Sequence, residues 1–318
     1  MKTNKVLAMC CAAAMSGCAS AALAADVVIG VPNWPSVQAT AHVLKAAMED
    51  KLGVEVELKE GSNTAVFEAM DAGTMHVHPE AWLPNVDHLK RQYVDAKKTV
   101  KMSPNGAIGT QAMCVTKATA DRTGITELKE LSKPEMAKNF DTNGDGKGEV
   151  WIGADGWGST PIEEIRAKSY GYDKTMTLKK MEEAAALEEV DAAAKGDKNI
   201  VFFCYTPHHF FAGKDHVVLK EPAHDANQWV IVQPGPTPGW FEKSTAGVAW
   251  DDAKLNVSYA TSLEKDQPKV AAMLENVQLD TETLSAMTYA LAVEKQEPSE
   301  FAKKWIEENA ATVDSWFQ

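Results

Sequence analysis

Four aromatic residues sit where strand-like runs give way to helix-like ones. They are Trp34 after Val27–Val31, Trp82 in His76–Asn85 (HVHPEAWLPN), Trp157 in Gly156–Ser159 (GWGS) and Tyr205 in Tyr205–His208 (YTPH). A quaternary ammonium has no N–H to donate, so a protein selects it with ring faces, each contributing roughly 0.5–2 kcal/mol when desolvated. Three faces plus buried methyl groups supply several kcal/mol, whereas micromolar affinity takes about 8. The ligand's opposite end must supply the rest. Gly156–Ser159 opens a helix, and unpaired backbone N–H groups at the positive end of a helix dipole hold a carboxylate without a basic residue. Gly158 and Ser159 are therefore candidate ligand contacts beside Trp157. His208, when donating, can reach the same carboxylate, and Tyr205 combines a ring wall with a polar tip. Trp151, Trp229, Trp250, Trp305 and Trp316 read instead as core padding.

Two other groupings invite a metal reading. His76, His78 and Glu80 alternate along one strand face, but zinc takes three or four convergent ligands and Pro79 offsets the third. Histidines lining a cleft account for that pattern better. Asp141-Thr142-Asn143-Gly144-Asp145-Gly146 matches the first half of a calcium loop. Asp141, Asn143 and Asp145 would be its ligands and the calcium structural. Ile152 stands at position twelve in place of the bidentate Glu, with Glu149 as a partial substitute; a polar loop of Asx turns explains the same residues. No other cofactor is expected. No nucleophile–base motif of the G-x-S-x-G, S-x-x-K or H-E-x-x-H kind is present, which argues against an enzyme.

Strands alternating with helical runs must position these residues. Val27–Val31, Val54–Leu58 and Met75–His78 read as strands, the third stopping at Pro79, with helices over residues 36–51, 63–72 and 84–94 between and after them. That alternation is the signature of an α/β fold with a mostly parallel sheet and crossover helices. Ser103-Pro104-Asn105-Gly106 marks a change of character. Beyond it come strands at Ala107–Thr116, Val150–Ala154 and Ile200–Cys204, and a helix over residues 182–195. Thr160-Pro161-Ile162-Glu163 reads as a capping box with Pro at the first helical position. The Pro- and Gly-rich stretch 221–245 is the least regular. Leu255–Ala260 alternates as a strand returning to the first half, and three helices follow over residues 263–275, 281–294 and 299–316. The expected division is 1–24 as an export signal, 25–106 and 254–318 as one lobe, and 107–253 as the other.

Composition supports this. The chain has 318 residues, 45% hydrophobic and 24% charged, enough for two globular lobes. Lys2 and Lys5 precede an apolar run ending in Ala22-Leu23-Ala24, the pattern of a secretory signal. Cleavage after Ala24 removes two lysines from a chain of net charge −13, leaving −15. A second reading lipidates Cys18 in Met15-Ser16-Gly17-Cys18. The acidic balance argues against nucleic acid and anionic membranes as partners. Of five cysteines, Cys114 and Cys204 lie outside the signal, each in an apolar run. A disulfide and two buried thiols both fit.

In order and context, Trp82 in A-W-L-P, Trp157 in G-W-G-S and Tyr205 in Y-T-P-H resemble the substrate-binding proteins of ABC importers for glycine betaine, choline and related solutes. Trp34 in P-N-W-P is similar to the aromatic of the choline-binding branch. The resemblance runs from Val27 to the C-terminal helices. It implies a two-lobed periplasmic-binding-protein fold of type II, each lobe a mixed sheet flanked by helices, with a two-stranded hinge. It further implies a monomer in the periplasm that closes over a small solute and delivers it to a membrane permease and its ATPase. By the same resemblance, the aromatic box holds the ammonium, while the G-W-G-S helix start and His208 read the carboxylate. Tyr205 stands where the family usually has Trp, and Ser159 where some members have Cys. The acidic residue usual after the first aromatic is absent at Pro35-Ser36. These departures leave betaine, choline, proline betaine and carnitine all open.

Overall fold

The computed structural model describes residues 25–196, 198–211, 216–232 and 238–318. Residues 1–24, expected to be an export signal and containing Cys18, lie outside them. No helix among the described residues is long and apolar enough to cross a membrane.

Twelve strands are described: β1 (Val27–Val31), β2 (Val56–Glu60), β3 (Val77–Leu83), β4 (Val100–Met102), β5 (Ala107–Thr116), β6 (Gly148–Trp151), β7 (Met176–Lys179), β8 (Val201–Thr206), β9 (His216–Val218), β10 (Trp229–Val230), β11 (Thr245–Ala246) and β12 (Ala253–Ala260). Ten form one curled sheet in the order β2-β1-β3-β12-β5-β8-β6-β7, with β4 on β12 and β9 on β5; β10 and β11 pair separately. In the first half β1 runs parallel to β2 and β3, and β12 is antiparallel to β3. In the second, β6 runs parallel to β7 and β8, and β5 is antiparallel to β8. Each half is thus a mixed sheet. Among the described residues their strands pair only where Ala253–Leu255 of β12 meets Ala107–Gly109 of β5, a two-stranded link. Gly109 is required there, because a Cβ would lie 2.7 Å from the Thr206 carbonyl and 2.9 Å from the Trp82 ring.

Helix α1 (Pro35–Leu52) starts on a proline, whose fixed φ suits a first helical position, and ends on Gly53 at φ 67°. Its residues Val37, Ala41, Leu44 and Met48 recur at helical spacing and are fully buried. The C-terminal helices Thr281–Ala292 and Pro298–Glu308 pack on it, returning the chain to the first half of the sheet.

Several elements differ from expectation: the helices expected over residues 263–275 and 299–316 are each divided in two, at Gln267 and at Asn309. Strand β3 does not stop at Pro79 but runs through it to Leu83. Its register with β12 slips between Ser258↔His78 and Asn256↔Ala81, leaving two β3 residues opposite one. A proline is tolerated at such a bulge because no ladder N–H is needed there. The helix expected over residues 84–94 is one α-helical turn, Asp87–Leu89, passing into π-helical spacing over Lys90–Ala96. The capping box at Thr160–Glu163 does not form: the helix Ser159–Tyr170 begins at Ser159 without a side-chain cap. Glu163 is instead fully buried. Its Oε1 accepts from Arg166 Nε at 2.9 Å and Trp250 Nε1 at 2.6 Å.

Cys114 and Cys204 form a disulfide between the paired strands β5 and β8, with Cα atoms 5.8 Å apart and a sequence separation of 90. Closing so long a loop constrains the unfolded chain, so the double variant Cys114→Ala/Cys204→Ala should lose about 2–4 kcal/mol of stability. Denaturant melts with and without reductant check this. Reductant should destabilise the native protein and leave the double variant unmoved; equal midpoints for all four would refute it.

Candidate ligand-binding site

The bulge in β3 sets two side chains to work. Glu80 is buried between β3 and α1, and its Oε1 accepts from Trp34 Nε1 at 3.0 Å, Ser36 Oγ at 2.6 Å and Trp82 Nε1 at 2.8 Å. One carboxylate oxygen therefore fixes the planes of two indoles from different elements. Burial pushes the Glu80 carboxyl up to about 7, against the pull of these donors.

Trp157 arrives from the other half of the sheet at the entry to the helix Ser159–Tyr170. It stands edge-on to Trp34, centroids 6.3 Å apart at 84°, and to Tyr205 at 5.8 Å and 89°. Tyr205, at the end of β8, is in turn edge-on to Trp82 at 5.5 Å and 87°. The four rings thus run continuously across the junction of the halves, in the edge-to-face geometry aromatic pairs prefer. They surround one cavity, completed by Asn63, Asn85, Val86, Gln111, Gly158, Ser159 and Phe203. No charged side chain is among these lining residues.

The cleft is shut. The four rings are only 6–7% exposed, and polar contacts bridge the two sides. Trp157 Nε1 donates to Asn33 Oδ1 at 2.9 Å, Asn33 Nδ2 to Glu182 Oε2 at 2.7 Å, and Asn63 Nδ2 to the Gly156 carbonyl at 3.3 Å. Asn85 and Gln111 exchange two amide hydrogen bonds of 2.7 and 3.0 Å. At Gly158 the two sides approach closely, and a Cβ would lie 2.9 Å from the Asn85 carbonyl oxygen.

Trp34, Trp82, Trp157, Gly158, Ser159 and Tyr205 are therefore brought together, and His208 is not. His208 lies behind Tyr205, ring centroids 4.8 Å apart, outside the lining. Its Nδ1 accepts from the Phe210 N–H at 2.9 Å, so Nε2 carries the proton and donates to Glu183 Oε1 at 2.7 Å. The same oxygen accepts from the Tyr205 hydroxyl at 2.8 Å. A carboxylate with no access to water needs donors, and Glu183 takes the histidine from the cavity to satisfy that need. Glu183 carries no motif, and Glu80 stood out only beside His76 and His78 in the metal reading, not as a partner of the rings. The amides Asn63 and Gln111 and the ring of Phe203 were invisible in the sequence, whereas Asn85, beside Trp82 and Pro84, had a local signal.

The histidines of β3 have separate partners. His76 Nδ1 accepts from the Val28 N–H at 2.9 Å, and His78 Nε2 donates to Asn63 Oδ1 at 3.0 Å while its Nδ1 accepts from the Glu80 N–H. Burial lowers His78 to about 3, so it is neutral. With Glu80 held by the tryptophans, the three do not converge. In the acidic loop, Asp141, Asp145 and Glu149 each bring an oxygen within 4.8 Å of the others. Asp141 accepts from the Gly144 and Gly146 N–H groups, and Glu149 from Thr142 and Asn143. Asn143 Oδ1 accepts from the Asp145 N–H at 2.8 Å.

Comparison with known proteins gives a consistent result. Over 288 residues the chain is 25% identical to the trimethylamine N-oxide-binding protein of Pelagibacter ubique, covering 89% of this chain and 88% of that one. It is 26% identical to the glycine betaine-binding periplasmic protein OusX of Dickeya dadantii over 215 residues, 65% of this chain and 63% of the relative. The alignment thus spans somewhat under two thirds of that relative's length. Among solved structures, lactococcal OpuAC, closed on glycine betaine, superposes with a TM-score of 0.70 at 22% identity, covering 92% of this chain and 99% of that one. An ABC-transporter choline-binding protein in complex with choline superposes at 0.73 and 17% identity, covering 91% and 90%. These likenesses establish the two-lobed binding-protein fold. Residues 25–308 match the family described as the substrate binding domain of ABC-type glycine betaine transport systems. The chain belongs to that family, one of substrate-binding proteins and not of enzymes.

Proposed function

We propose that this chain captures a small solute with a quaternary-ammonium head group and delivers it to an ABC permease and its ATPase. The observation that carries the reading is four rings, contributed from both sides of the cleft, around a cavity with no charged wall. Residues 25–106 with 254–318 form one moving lobe and 107–253 the other, turning about the β5–β12 link. A ligand touching Trp34 and Trp82 on one side and Trp157 and Tyr205 on the other favours the closed form by its differential affinity. Gly158 and Ser159 present the helix start to the ligand's other end. The protein acts as a monomer, exported through residues 1–24 to the periplasm. Relatives named for glycine betaine and trimethylamine N-oxide, and a similar structure in complex with choline, support trying these three ligands first.

A thermal-shift panel tests this. Ligand at a hundred times its dissociation constant stabilises the native state by about 2.7 kcal/mol, which for a chain of this size raises Tm by about 4–5 °C. One or more of glycine betaine, choline, trimethylamine N-oxide, carnitine and proline betaine should do so, and proline and taurine should not. Stabilisation by proline or taurine alone would reassign the site.

A further inference from the structure

The aromatic rings do not stand alone: each half of the cleft backs them with a buried carboxylate. Glu80 accepts the indole N–H groups of both Trp34 and Trp82, and Glu183 accepts the hydroxyl of Tyr205. Neither carboxylate is among the cavity's lining residues, so neither is placed to take a hydrogen bond from a ligand there. Yet each lies one ring behind its surface. Their hydrogen bonds draw the positive edge of each ring toward the carboxylate and leave the ring face, where a cation would sit, more electron-rich. Among the described residues, no lysine or arginine lines the cavity to offset them.

We propose that Glu80 is a specificity-determining residue of the cage: it orients Trp34 and Trp82 as a unit and supplies the negative charge by which the site distinguishes a permanently positive head group from a neutral one of the same shape. This rests on the quaternary-ammonium reading and deepens it. A hydrophobic box alone recognises shape and methyl groups, and would accept a tert-butyl group as readily as trimethylammonium. A unit charge one ring away, at the effective dielectric of a protein site, changes the affinity of a cation on the order of 30-fold and that of a neutral group hardly at all.

The surroundings of Glu80 leave its charge free to respond to the ligand. From α1 it faces the neutral hydroxyls of Ser36 and Thr40. On its own strand His78 is neutral, its Nε2 on Asn63. From β12 and the segment that follows, the small cavity beside it is closed by Leu255, Val257, Val277 and Leu279, none of them titratable. Across the cleft stand the phenol of Tyr205, which burial holds in its neutral form, and Glu183 behind it. In the empty protein Glu80 therefore shares its site with a proton near neutral pH. A cation in the cage favours the ionised form and lowers the Glu80 pKa. Binding then expels a proton below about pH 7, and affinity rises with pH until Glu80 is ionised without help.

The test uses the full mature protein, choline and glycine betaine as probes, and the isostere of each in which a tert-butyl group replaces trimethylammonium. Glu80→Gln keeps an oxygen to accept both indole N–H groups and removes the charge. It should weaken the preferred cation by at least 10-fold, leave the affinity of its isostere within about 2-fold, and abolish the pH dependence between pH 6 and 8. A purely structural role would weaken cation and isostere together. Independently of any variant, titration calorimetry of the native protein at pH 6.5 in two buffers of different ionisation enthalpy should show proton release on cation binding. An unchanged cation-to-isostere ratio in Glu80→Gln overturns the proposal; so does a native protein that binds the cation with no proton release and a flat pH profile. A native protein that binds neither cation would instead remove the reading of the site on which this one rests.

Discussion

Trp157→Ala should weaken binding of the preferred quaternary ammonium by about 30- to 100-fold. Trp157 is in edge contact with Trp34 across the cleft and with Tyr205 on its own side, and its Nε1 reaches across to Asn33. Truncation removes a ring face worth roughly 0.5–2 kcal/mol to a desolvated cation. It also removes apolar area that is buried only on closure, and so lowers the population of the closed state. The combined loss of about 2–3 kcal/mol gives the stated range. Trp305→Ala is the control: Trp305 stacks on Trp316 in the C-terminal helices, outside the cavity lining. It should lower Tm and leave affinity alone. Titration calorimetry on both variants decides the matter, and a Trp157→Ala protein within 3-fold of the native affinity would show that the rings are padding.

The second large effect concerns stability. Arg166→Met should cost about 3–5 kcal/mol of unfolding free energy. Arg166 is completely buried. Its guanidinium bonds Glu163, Glu221 and the Val248 carbonyl, with Trp229, Trp250 and Tyr170 about its faces at 5.6–5.7 Å. Glu221 also accepts from the Tyr170 hydroxyl at 2.7 Å. These contacts pin Glu221, Trp229, Val248 and Trp250 onto the helix whose start forms one wall of the cavity. Removing the cation strands two carboxylates without water. Burial already pushes Glu163 above the usual carboxylate range, with Arg166 opposing the shift. Without Arg166 its folded pKa rises further above the unfolded value. The variant is then least destabilised below the unfolded pKa of about 4.5 and loses stability as pH climbs through the folded pKa. Denaturant melts from pH 4.5 to 8 should show the gap from the native protein widening with pH. A gap that stays below 1 kcal/mol throughout would mean that the cluster contributes little. Replacing Arg166, Glu163 and Glu221 together by apolar residues of similar volume should recover much of the loss.

Local signals in the chain were strong where a single element decides its own conformation. Pro35 and Gly53 bracket α1, period-2 alternation marks β12, and continuous apolar runs mark β1 and β8. Trp34, Trp82, Trp157 and Tyr205 were legible because large aromatics at strand–helix junctions are a local, countable pattern. Pro79 misled for an equally local reason: a proline reads as a strand end unless the partner strand slips its register, and that slip belongs to β12, more than 170 residues away. Thr160–Glu163 misled because a glutamate three residues after a threonine reads as a cap until a buried arginine and an indole claim it.

Which elements form, and which aromatic residues face the cleft, was written in the order of residues, because strand and helix periodicity and turn chemistry depend on near neighbours. Whether those rings share a cavity was decided only by the packing of the two halves. So were the pairing of Cys114 with Cys204, the withdrawal of His208 to Glu183, and the capture of two indole N–H groups by Glu80. Each of these joins groups distant in sequence, and each answers a demand that arises only on burial: a carboxylate without water must find donors, wherever in the chain they come from.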